Sequence, residues 1–344
     1  MPSGGSDQLT VIVPAFNEAA TVADTIRSLM RQSAQPARIL VVDDCSTDDT
    51  GDVARAAGAT VIRPPRNTGS KAGAQTFALE LVRTALVMAV DADTTLAPDA
   101  IERLLPTFTD RRVAAACGSV LPRRVRTLWE RGRYIEYMSA FGFFKQIQDH
   151  YGNPLISSGC FSIYRADELQ ALGGWSDRTM AEDMDLTWSL YRRGRRVRFV
   201  PEAVAYPIEP HSFAFMSKQL RRWSHGFVQN VRLHWTGILD LGYLRSMVAV
   251  AFWDALFASV AYLLVLPALA LLLTPLVLLA YLVDAPVVLL PVLWYATRRR
   301  EVRRAIASFP SFFVLRFVNG GFMLSAIWRE LVLRRPLLVY EKGH

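Results

Sequence analysis

Short apolar runs alternate with segments of helical periodicity from the start of the chain to about residue 235. The run "LTVIVPAF", which begins at Leu9, is continuously apolar and typical of a strand buried on both faces. Val22, Ile26 and Leu29 then recur at helical spacing. Further strand and helix patterns follow in "ARILVVDD", "TDDTGDVARAAG", "TVIRPP", "GSKAGAQTFALELVRT" and "ALVMAVDAD". This alternation predicts an α/β fold with a mostly parallel sheet.

Polar or acidic pairs follow three of these predicted strands at their carboxyl ends. The pairs are Asn17 with Glu18, Asp43 with Asp44, and Asp91 with Asp93. Ligands of such sheets bind beyond the carboxyl ends of the strands, so we expect the three ends to converge on one ligand. The alternative is that each acid only caps the helix that follows it.

The spacing of Asp91 and Asp93 suits a hard divalent cation. Only the small residue Ala92 separates them, so two carboxylates stand close together at one strand end. With a donor that carries a diphosphate, one carboxylate could bind Mg²⁺ or Mn²⁺ and the other could reach the ribose.

A second acidic group opens the predicted helix in "AEDMDLTWSLYRRG", where Glu182, Asp183 and Asp185 occupy the first turn. The helix dipole favours negative charge there, so these acids have a purely structural explanation. For transfer of a sugar to a hydroxyl, a carboxylate beside the anomeric carbon can act as general base. Asp183 is the candidate for that role.

Residues 128–151 predict one helix with an aromatic face and a basic, polar remainder. Such a helix could lie on a membrane surface. The alternative is an ordinary amphipathic helix that covers the sheet. The charge run "RRGRRVRF" at residues 192–199 indicates a solvated helix end that leads into a strand.

The chain becomes strongly apolar after residue 246. Residues 247–295 can hold two membrane crossings, because a crossing needs about 20 helical residues. The turn between them is expected at Pro267, Pro275 or Pro286. Residues 308–331 form a third candidate that contains polar residues such as Arg316 and Asn319. It could cross the membrane, re-enter it or lie partly in the interface, and a crossing is slightly favoured.

The charge balance adds to this membrane interpretation. The 39 Lys and Arg residues exceed the 31 Asp and Glu residues, which gives a net charge of +8. Several arginines directly follow the second apolar stretch, as the positive-inside rule expects for a cytosolic loop. Nucleic acid is rejected as a partner because no reader motif accompanies the charge.

Cysteine usage and the first residues indicate a cytosolic catalytic part. Cys45, Cys117 and Cys160 lie far apart, without metal-ligand spacing, as expected of a reduced compartment. The start "MPSGGSDQLT" lacks a basic and apolar leader, so no signal peptide is expected. We therefore predict a multi-pass protein of the bacterial inner membrane with its catalytic domain in the cytoplasm.

Seven motifs in a fixed order resemble the family 2 glycosyltransferases, in particular the membrane-embedded branch with cellulose, chitin, hyaluronan and poly-N-acetylglucosamine synthases. The matching stretches are "VPAFNE", "VVDDCSTD", "SKAGA", "DAD", "SGCFSIYR", "AED" and "QLRRW". The resemblance covers about residues 9–235 and implies a GT-A fold, a Rossmann-like catalytic domain, followed by interfacial helices and a small α-helical transmembrane bundle.

The resemblance also implies a role for each matched residue. The donor UDP-sugar would be bound by Pro14, Glu18, Asp43, Asp44, Lys71 and Asp91, and its diphosphate by Gln219 and Arg222. Asp93 would bind the divalent cation, Mg²⁺ or Mn²⁺. Asp183, with Glu182, would carry the catalytic chemistry. Trp223, Gly159 and Cys160 would contact the acceptor.

Three features depart from the family pattern. The glycine that usually follows the paired aspartates is Cys45, and the threonine of the Thr-Glu-Asp motif is Ala181. A Phe-x-Val-Thr-x-Lys gating loop is not found. Neither replacement removes a proposed catalytic group.

The sequence thus predicts an inverting membrane glycosyltransferase that polymerises a β-linked polysaccharide from a UDP-sugar. The main alternative is a single transfer to polyprenyl phosphate or another lipid acceptor. A non-catalytic membrane subunit is the third interpretation, but it gives no reason for acids at several strand ends. The predicted parts are 1–127 for the donor half, 128–235 for the acceptor half, 246–333 for two or three membrane helices, and 334–344 for a tail.

Overall fold

The computed structural model describes residues 8–239 and 242–337. Its chain divides into two compact units, the first from Met1–Arg123 with Gln148–Ile208 and the second from Arg124–Ile147 with Glu209–His344. The four-part division made from the sequence stays a prediction. Most of its tail, residues 338–344, lies outside the described residues, as do residues 1–7.

One eight-stranded sheet organises the first unit. Its strands are β1 (Leu9–Ala15), β2 (Arg38–Asp43), β3 (Thr60–Ile62), β4 (Leu86–Val90), β5 (Thr95–Leu96), β6 (Val113–Val120), β7 (Phe161–Arg165) and β8 (Arg196–Tyr206). They lie in the order β3-β2-β1-β4-β7-β6-β8-β5. The first four are mutually parallel, whereas β7 is antiparallel to both β4 and β6. The predicted α/β class is confirmed, with a mixed sheet whose parallel half is the one that the alternating pattern indicated.

Helices follow most strands in the first half of the chain, and further helices form most of the second half. They are α1 (Val22–Met30), α2 (Thr50–Ala56), α3 (Lys71–Leu79), α4 (Ala100–Leu104), α5 (Leu128–Ser139), α6 (Lys145–His150), α7 (Ala166–Ala171), α8 (Glu182–Arg192), α9 (Phe213–Leu239), α10 (Gly242–Trp253), α11 (Leu266–Leu272), α12 (Asp284–Arg299), α13 (Val302–Ser308) and α14 (Pro310–Ile327). Gly58 ends the turn after α2 with φ +98°, a left-handed conformation that glycine adopts without strain.

The core of the first unit explains why the early strands are continuously apolar. Val11 and Val13 of β1 and Val41 of β2 are fully buried, as are Met88 and Val90 of β4. The main apolar cluster contains these side chains together with those of α1 and α4. Burial of central strands on both faces requires apolar residues at successive positions rather than alternate ones.

Helices build the second unit. A helical stretch runs from Leu128 to His150 through α5, a π-helical segment at Ala140–Phe144, and α6. Within the second unit, α5 packs against α12, α13 and α14, and α9 packs against α14. Thr127 caps α5 in a capping box with Glu130, which defines the start of the helix that the sequence predicted.

Within the described residues, three helical segments are long and apolar enough to cross a membrane. They are Leu244–Leu272, Pro275–Arg299 and Pro310–Val332. The first two correspond to the pair predicted within residues 247–295, and the break between them falls beside Pro275, one of the three turns considered. The third corresponds to the candidate at residues 308–331.

Candidate active site

The loops after β1 and β2 are joined by hydrogen bonds. The backbone N–H of Glu18 donates to Thr50 Oγ1 at 2.7 Å, and that of Asn17 donates to Ser46 Oγ at 3.0 Å. Asn17 has φ +55°, and Cys45 has φ +62°. Few residues other than glycine adopt this left-handed region readily, which accounts for the glycine that the family usually places at position 45.

Asp43 is held by residues that follow β2 and β3. Its carboxylate forms an ion pair with Arg63 at 2.7 Å and accepts a hydrogen bond from the Ser46 N–H at 2.9 Å. Only 2% of Asp43 is exposed. Its contacts therefore shape the loop after β2, whatever it contributes to a ligand.

Asp44 organises a loop that the strand pattern did not identify. The N–H and the hydroxyl of Thr68 donate to its two carboxylate oxygens, both at 2.8 Å, and Asn67 Nδ2 donates to its carbonyl oxygen at 2.7 Å. The loop leads directly into Lys71, the first residue of α3. The stretch "RNTGS" before "SKAGA" was the available signal for Asn67 and Thr68, since Asn, Thr and Gly are typical of structured turns.

Lys71 brings three distant parts of the chain together. Its ammonium group lies 2.5 Å from Asp91 Oδ1 and 3.4 Å from Glu182 Oε1, and it donates to the Gly159 carbonyl oxygen at 3.0 Å. The Asp91 N–H also donates to the Cys160 carbonyl oxygen at 3.4 Å. The ammonium group of Lys71 thus contacts the end of strand β4, the turn before β7 and the start of α8.

Gly159 also contacts Asp183, through its N–H rather than through the carbonyl oxygen that Lys71 binds. The Gly159 N–H donates to Asp183 Oδ2 at 2.8 Å, and the Met184 N–H donates to Oδ1 at 2.9 Å. Burial, reinforced by the charge of Glu182, raises the pKa of Asp183 to about 6, although Lys71 and the two N–H groups act to lower it. A carboxylate with this pKa is ionised at neutral pH and can still accept a proton.

The neighbouring acid Asp185 has a different environment. Arg178 donates hydrogen bonds to both of its carboxylate oxygens at 2.8 Å, and only 1% of Asp185 is exposed. Asp185 therefore has a structural role in the first turn of α8.

Asp93 lies past the end of β4 and is partly exposed. Its Oδ1 accepts a hydrogen bond from Thr94 at 3.1 Å, while Arg123 donates to its carbonyl oxygen at 2.7 Å. Asp91 forms an ion pair with Lys71, and both Asp91 and Asp93 keep part of their surface exposed.

The remaining predicted residues lie in the second unit. Gln219 Oε1 accepts a hydrogen bond from Arg133 Nη2 at 2.7 Å, and the Arg133 guanidinium lies 4.6 Å from the centre of the Trp223 ring. Trp223 is 37% exposed, and Arg222 is partly buried. The donor, acceptor and metal roles assigned to individual residues stay predictions.

The chain also matches known proteins. The family described as "Glycosyltransferase like family 2" matches residues 7–226. A mannosyltransferase from Pyrobaculum calidifontis, solved in complex with GDP-Man and Mn²⁺, shares the fold with a TM-score of 0.56 at 21% identity, over 89% of this chain and 86% of that one. The fold is therefore α/β and GT-A-like. The chain belongs to glycosyltransferase family 2, which confirms the predicted family and, for this domain, the enzyme class.

Two curated relatives extend this finding. A poly-beta-1,6-N-acetyl-D-glucosamine synthase from Staphylococcus aureus (strain COL) is 25% identical over 63% of this chain and 54% of its own length. The uncharacterized glycosyltransferase YaiP from Escherichia coli (strain K12) is 30% identical over 68% of this chain and 60% of its own length. The matched part thus spans little more than half of each relative.

Proposed function

We propose that this chain is an inverting membrane glycosyltransferase that polymerises a β-linked glycan from a UDP-sugar. The observation that carries the proposal is the cluster of Asp91, Lys71, Gly159, Glu182 and Asp183, in which a carboxylate of raised pKa lies beside strand-end acids. The helix dipole accounts for an acid at the start of α8, but not for its position beside the acids at the carboxyl edge of the sheet.

In the proposed reaction, Asp183 takes the proton of the acceptor hydroxyl. The hydroxyl oxygen then forms a bond to the anomeric carbon as the bond from that carbon to the diphosphate oxygen breaks, and UDP leaves with the electron pair. Attack on the side opposite the leaving group inverts the configuration. Gly159 positions Asp183 through its N–H, and the charge of Glu182 helps to keep the pKa of Asp183 high enough for proton transfer.

Donor binding is proposed for the ends of β1, β2 and β4. Pro14 and Glu18 lie at the end of β1, and the loop that Asp44 organises closes the neighbouring strand end. These are the places where an α/β sheet binds nucleotides. Gln219 and Arg222 are proposed to bind the diphosphate, because amide and guanidinium groups donate to phosphate oxygens.

The residues present fit a divalent cation that is shared with the donor. Among residues 8–239 and 242–337, no group of three or more His, Cys, Asp or Glu side chains could hold a metal ion. Mg²⁺ commonly binds through one or two carboxylates plus substrate phosphates, and Asp93 offers one such carboxylate. When bound, the cation would neutralise charge on the diphosphate.

The metal assignment has a direct test. Chelation with EDTA, and Asp93→Asn, should each reduce transfer by at least about 100-fold, because the charge of the leaving diphosphate loses its counter-ion. Calorimetry would follow UDP binding with and without Mn²⁺, and Mn²⁺ should strengthen binding to the wild type but not to Asp93→Asn. Full turnover in EDTA would contradict the assignment.

Polymerisation is supported by the "QLRRW" stretch and by the helices after it. An exposed indole face at Trp223 suits a sugar ring, and the three apolar helical segments support membrane association. Because the S. aureus relative is a poly-beta-1,6-N-acetyl-D-glucosamine synthase, UDP-N-acetylglucosamine is the first donor to test.

The deciding experiment incubates purified protein with a panel of labelled UDP-sugars and sizes the product by gel and mass spectrometry. Long chains from one UDP-sugar support the proposal, and Asp183→Asn should make none. A product with one added sugar would overturn polymerisation.

Single transfer to a lipid phosphate is the second candidate, and one observation favours it. An open surface pocket of about 400 Å³ is lined by residues 300–304, among them Arg300, Arg303 and Arg304, directly after the second apolar segment. Guanidinium groups at that point suit a lipid-borne phosphate. Polyprenyl phosphate belongs in the same assay as an acceptor, and a product with one sugar on the lipid would establish this candidate.

A further inference from the structure

Arg133 is a buried cation beside the stretch that the family resemblance singled out. It lies in α5, and only 2% of it is exposed. A buried guanidinium requires partners, because its desolvation is costly. Two carboxylates supply them, with Glu136 Oε2 at 2.6 Å from Nη1 and Glu209 Oε2 at 3.6 Å from Nε.

The other contacts of Arg133 point to α9. Its Nη2 donates to Gln219 Oε1 at 2.7 Å, and its guanidinium carbon lies 4.6 Å from the centre of the Trp223 ring. Residues 219 and 223 are four positions apart in one helix, so both side chains face the same side of it. One cation therefore contacts both members of the pair.

We propose that Arg133 is a positioning residue for the acceptor, one that orients the indole of Trp223 as a platform for a sugar ring. This inference rests on the proposed function, and it adds a residue outside the seven motifs. Trp223 is 37% exposed while one contact of its ring is the buried guanidinium, so the residue has surface available to a sugar.

The carboxylates around Arg133 are themselves held by other groups. Glu209 Oε1 accepts a hydrogen bond from the Tyr137 hydroxyl at 2.8 Å, and burial raises the pKa of Glu209. Glu136 Oε1 accepts from Asn319 Nδ2 at 2.5 Å. Asn319 belongs to α14, part of the third candidate span. The orientation of Trp223 is thereby connected to a helix that is apolar enough to cross the membrane.

A purely structural function explains this arrangement poorly. Replacing a buried ion pair by apolar side chains of similar volume is often neutral or stabilising. Stability alone would therefore not require an arginine with two carboxylates at this place. Arg133→Met keeps much of the side-chain length but removes only the cation, so Glu136 and Glu209 lose their partner and some loss of stability is expected in this variant.

The test compares Arg133→Met, Arg133→Lys and wild type with labelled UDP-N-acetylglucosamine and a short β-1,6-linked N-acetylglucosamine oligomer as acceptor. For Arg133→Met, we expect the KM for the oligomer to rise about tenfold while the KM for the donor changes less than about twofold, since one cation–π contact and one charged hydrogen bond are lost. Arg133→Lys keeps the charge but not the planar guanidinium group, so its KM for the oligomer should lie between those of the wild type and Arg133→Met.

A double-mutant comparison separates positioning from general damage. If Arg133 acts through the indole, Arg133→Met combined with Trp223→Ala should be no worse than Trp223→Ala alone. The matched control is Arg165→Met, which removes another arginine over an aromatic ring, 5.6 Å from Phe108, near the start of β4. The control should leave the KM for the oligomer unchanged.

Each outcome decides the inference. An unchanged KM for the oligomer in folded Arg133→Met, or additive effects with Trp223→Ala, would overturn it. If Arg133→Met does not fold, Arg133→Lys with and without Trp223→Ala provides the same comparison. If the wild type transfers one sugar to polyprenyl phosphate only, the proposed function fails separately, and the same variants are then measured against that acceptor, where an unchanged KM overturns the inference.

Discussion

Single residues determine which acid at the start of α8 can do chemistry. Asp183 and Asp185 are two positions apart, but Arg178 neutralises Asp185, whereas Asp183 receives hydrogen bonds from two backbone N–H groups. Burial and the neighbouring Glu182 raise the pKa of Asp183 to about 6. The two side chains are chemically identical, so the difference between them comes from their surroundings.

A pH profile tests the role of Asp183. A raised pKa keeps the carboxyl protonated to a higher pH, and a protonated carboxyl cannot accept the hydroxyl proton, so activity should fall as the pH drops through about 6. Asp183→Asn keeps the shape but removes the basic group, and its rate should fall at least about 100-fold with UDP binding intact. Near-normal turnover of this variant would assign the base elsewhere.

Gly159 offers a second test at this scale, because its position leaves no room for a side chain. A Cβ there would lie 2.8 Å from Asp183 Oδ2 and 3.2 Å from the Asp183 Cβ. Gly159→Ala should displace the carboxylate and lower the rate by up to about 100-fold, while the protein stays folded. Steady-state kinetics and UDP calorimetry would measure this. Gly321→Ala is the control, because a Cβ at Gly321 meets nothing within 4 Å.

Elements in the second unit pack closely where their sequences carry glycine. Gly142 lies in the π-helical segment after α5, and a Cβ there would come within 2.5 Å of the Tyr295 ring of α12. At Gly132, within α5, a Cβ would lie 3.1 Å from Leu315 of α14 and from the Ser311 carbonyl oxygen. Both glycines let a helix approach its neighbour.

These distances predict a graded loss of stability. Gly142→Ala should destabilise the protein by about 1–3 kcal/mol, because a rigid ring and a backbone must move apart. Gly132→Ala should cost less, since its nearest contacts, the Leu315 side chain and the Ser311 carbonyl oxygen, lie at 3.1 Å rather than 2.5 Å and need to move less. Thermal midpoints in detergent would rank the variants, and equal midpoints for both and for Gly321→Ala would show that the helices do not pack as described.

At the scale of the whole molecule, one part of the chain buries its apolar residues and another part exposes them. The first unit buries its strands around a mixed sheet, whereas the segments Leu244–Leu272 and Pro275–Arg299 carry exposed leucines, valines and tryptophans along most of their length, and Pro310–Val332 exposes Val314 and Trp328. Exposed apolar surface on this scale is stable only when lipid or another apolar phase covers it.

Membrane extraction tests this view. The shortest of the three segments has 23 residues and is about 34 Å long at 1.5 Å per residue, which exceeds a hydrocarbon core of about 30 Å. The expressed protein should therefore stay in the membrane pellet in alkaline carbonate and enter solution with mild detergent. Release by carbonate or salt alone would indicate a peripheral protein.

The periodicity and chemistry of the sequence were enough to predict β1 to β4, the helices between them and the three apolar segments. A buried strand needs an unbroken apolar run and a helix an apolar stripe, so both signals are local and can be read along the chain. The acids at the ends of β1, β2 and β4 were identified for the same reason, because each directly follows its strand.

The contacts of those acids were decided only by the tertiary structure. Lys71 meets Asp91, Gly159 and Glu182 because strand order and register bring together residues that are up to 111 positions apart, and no local pattern encodes such a distance. Thr68 and Arg133 were missed for this reason. The sequence by itself determined which groups the protein carries and on which elements, whereas packing determined which of them are neutralised, which are held in place, and which are left to react.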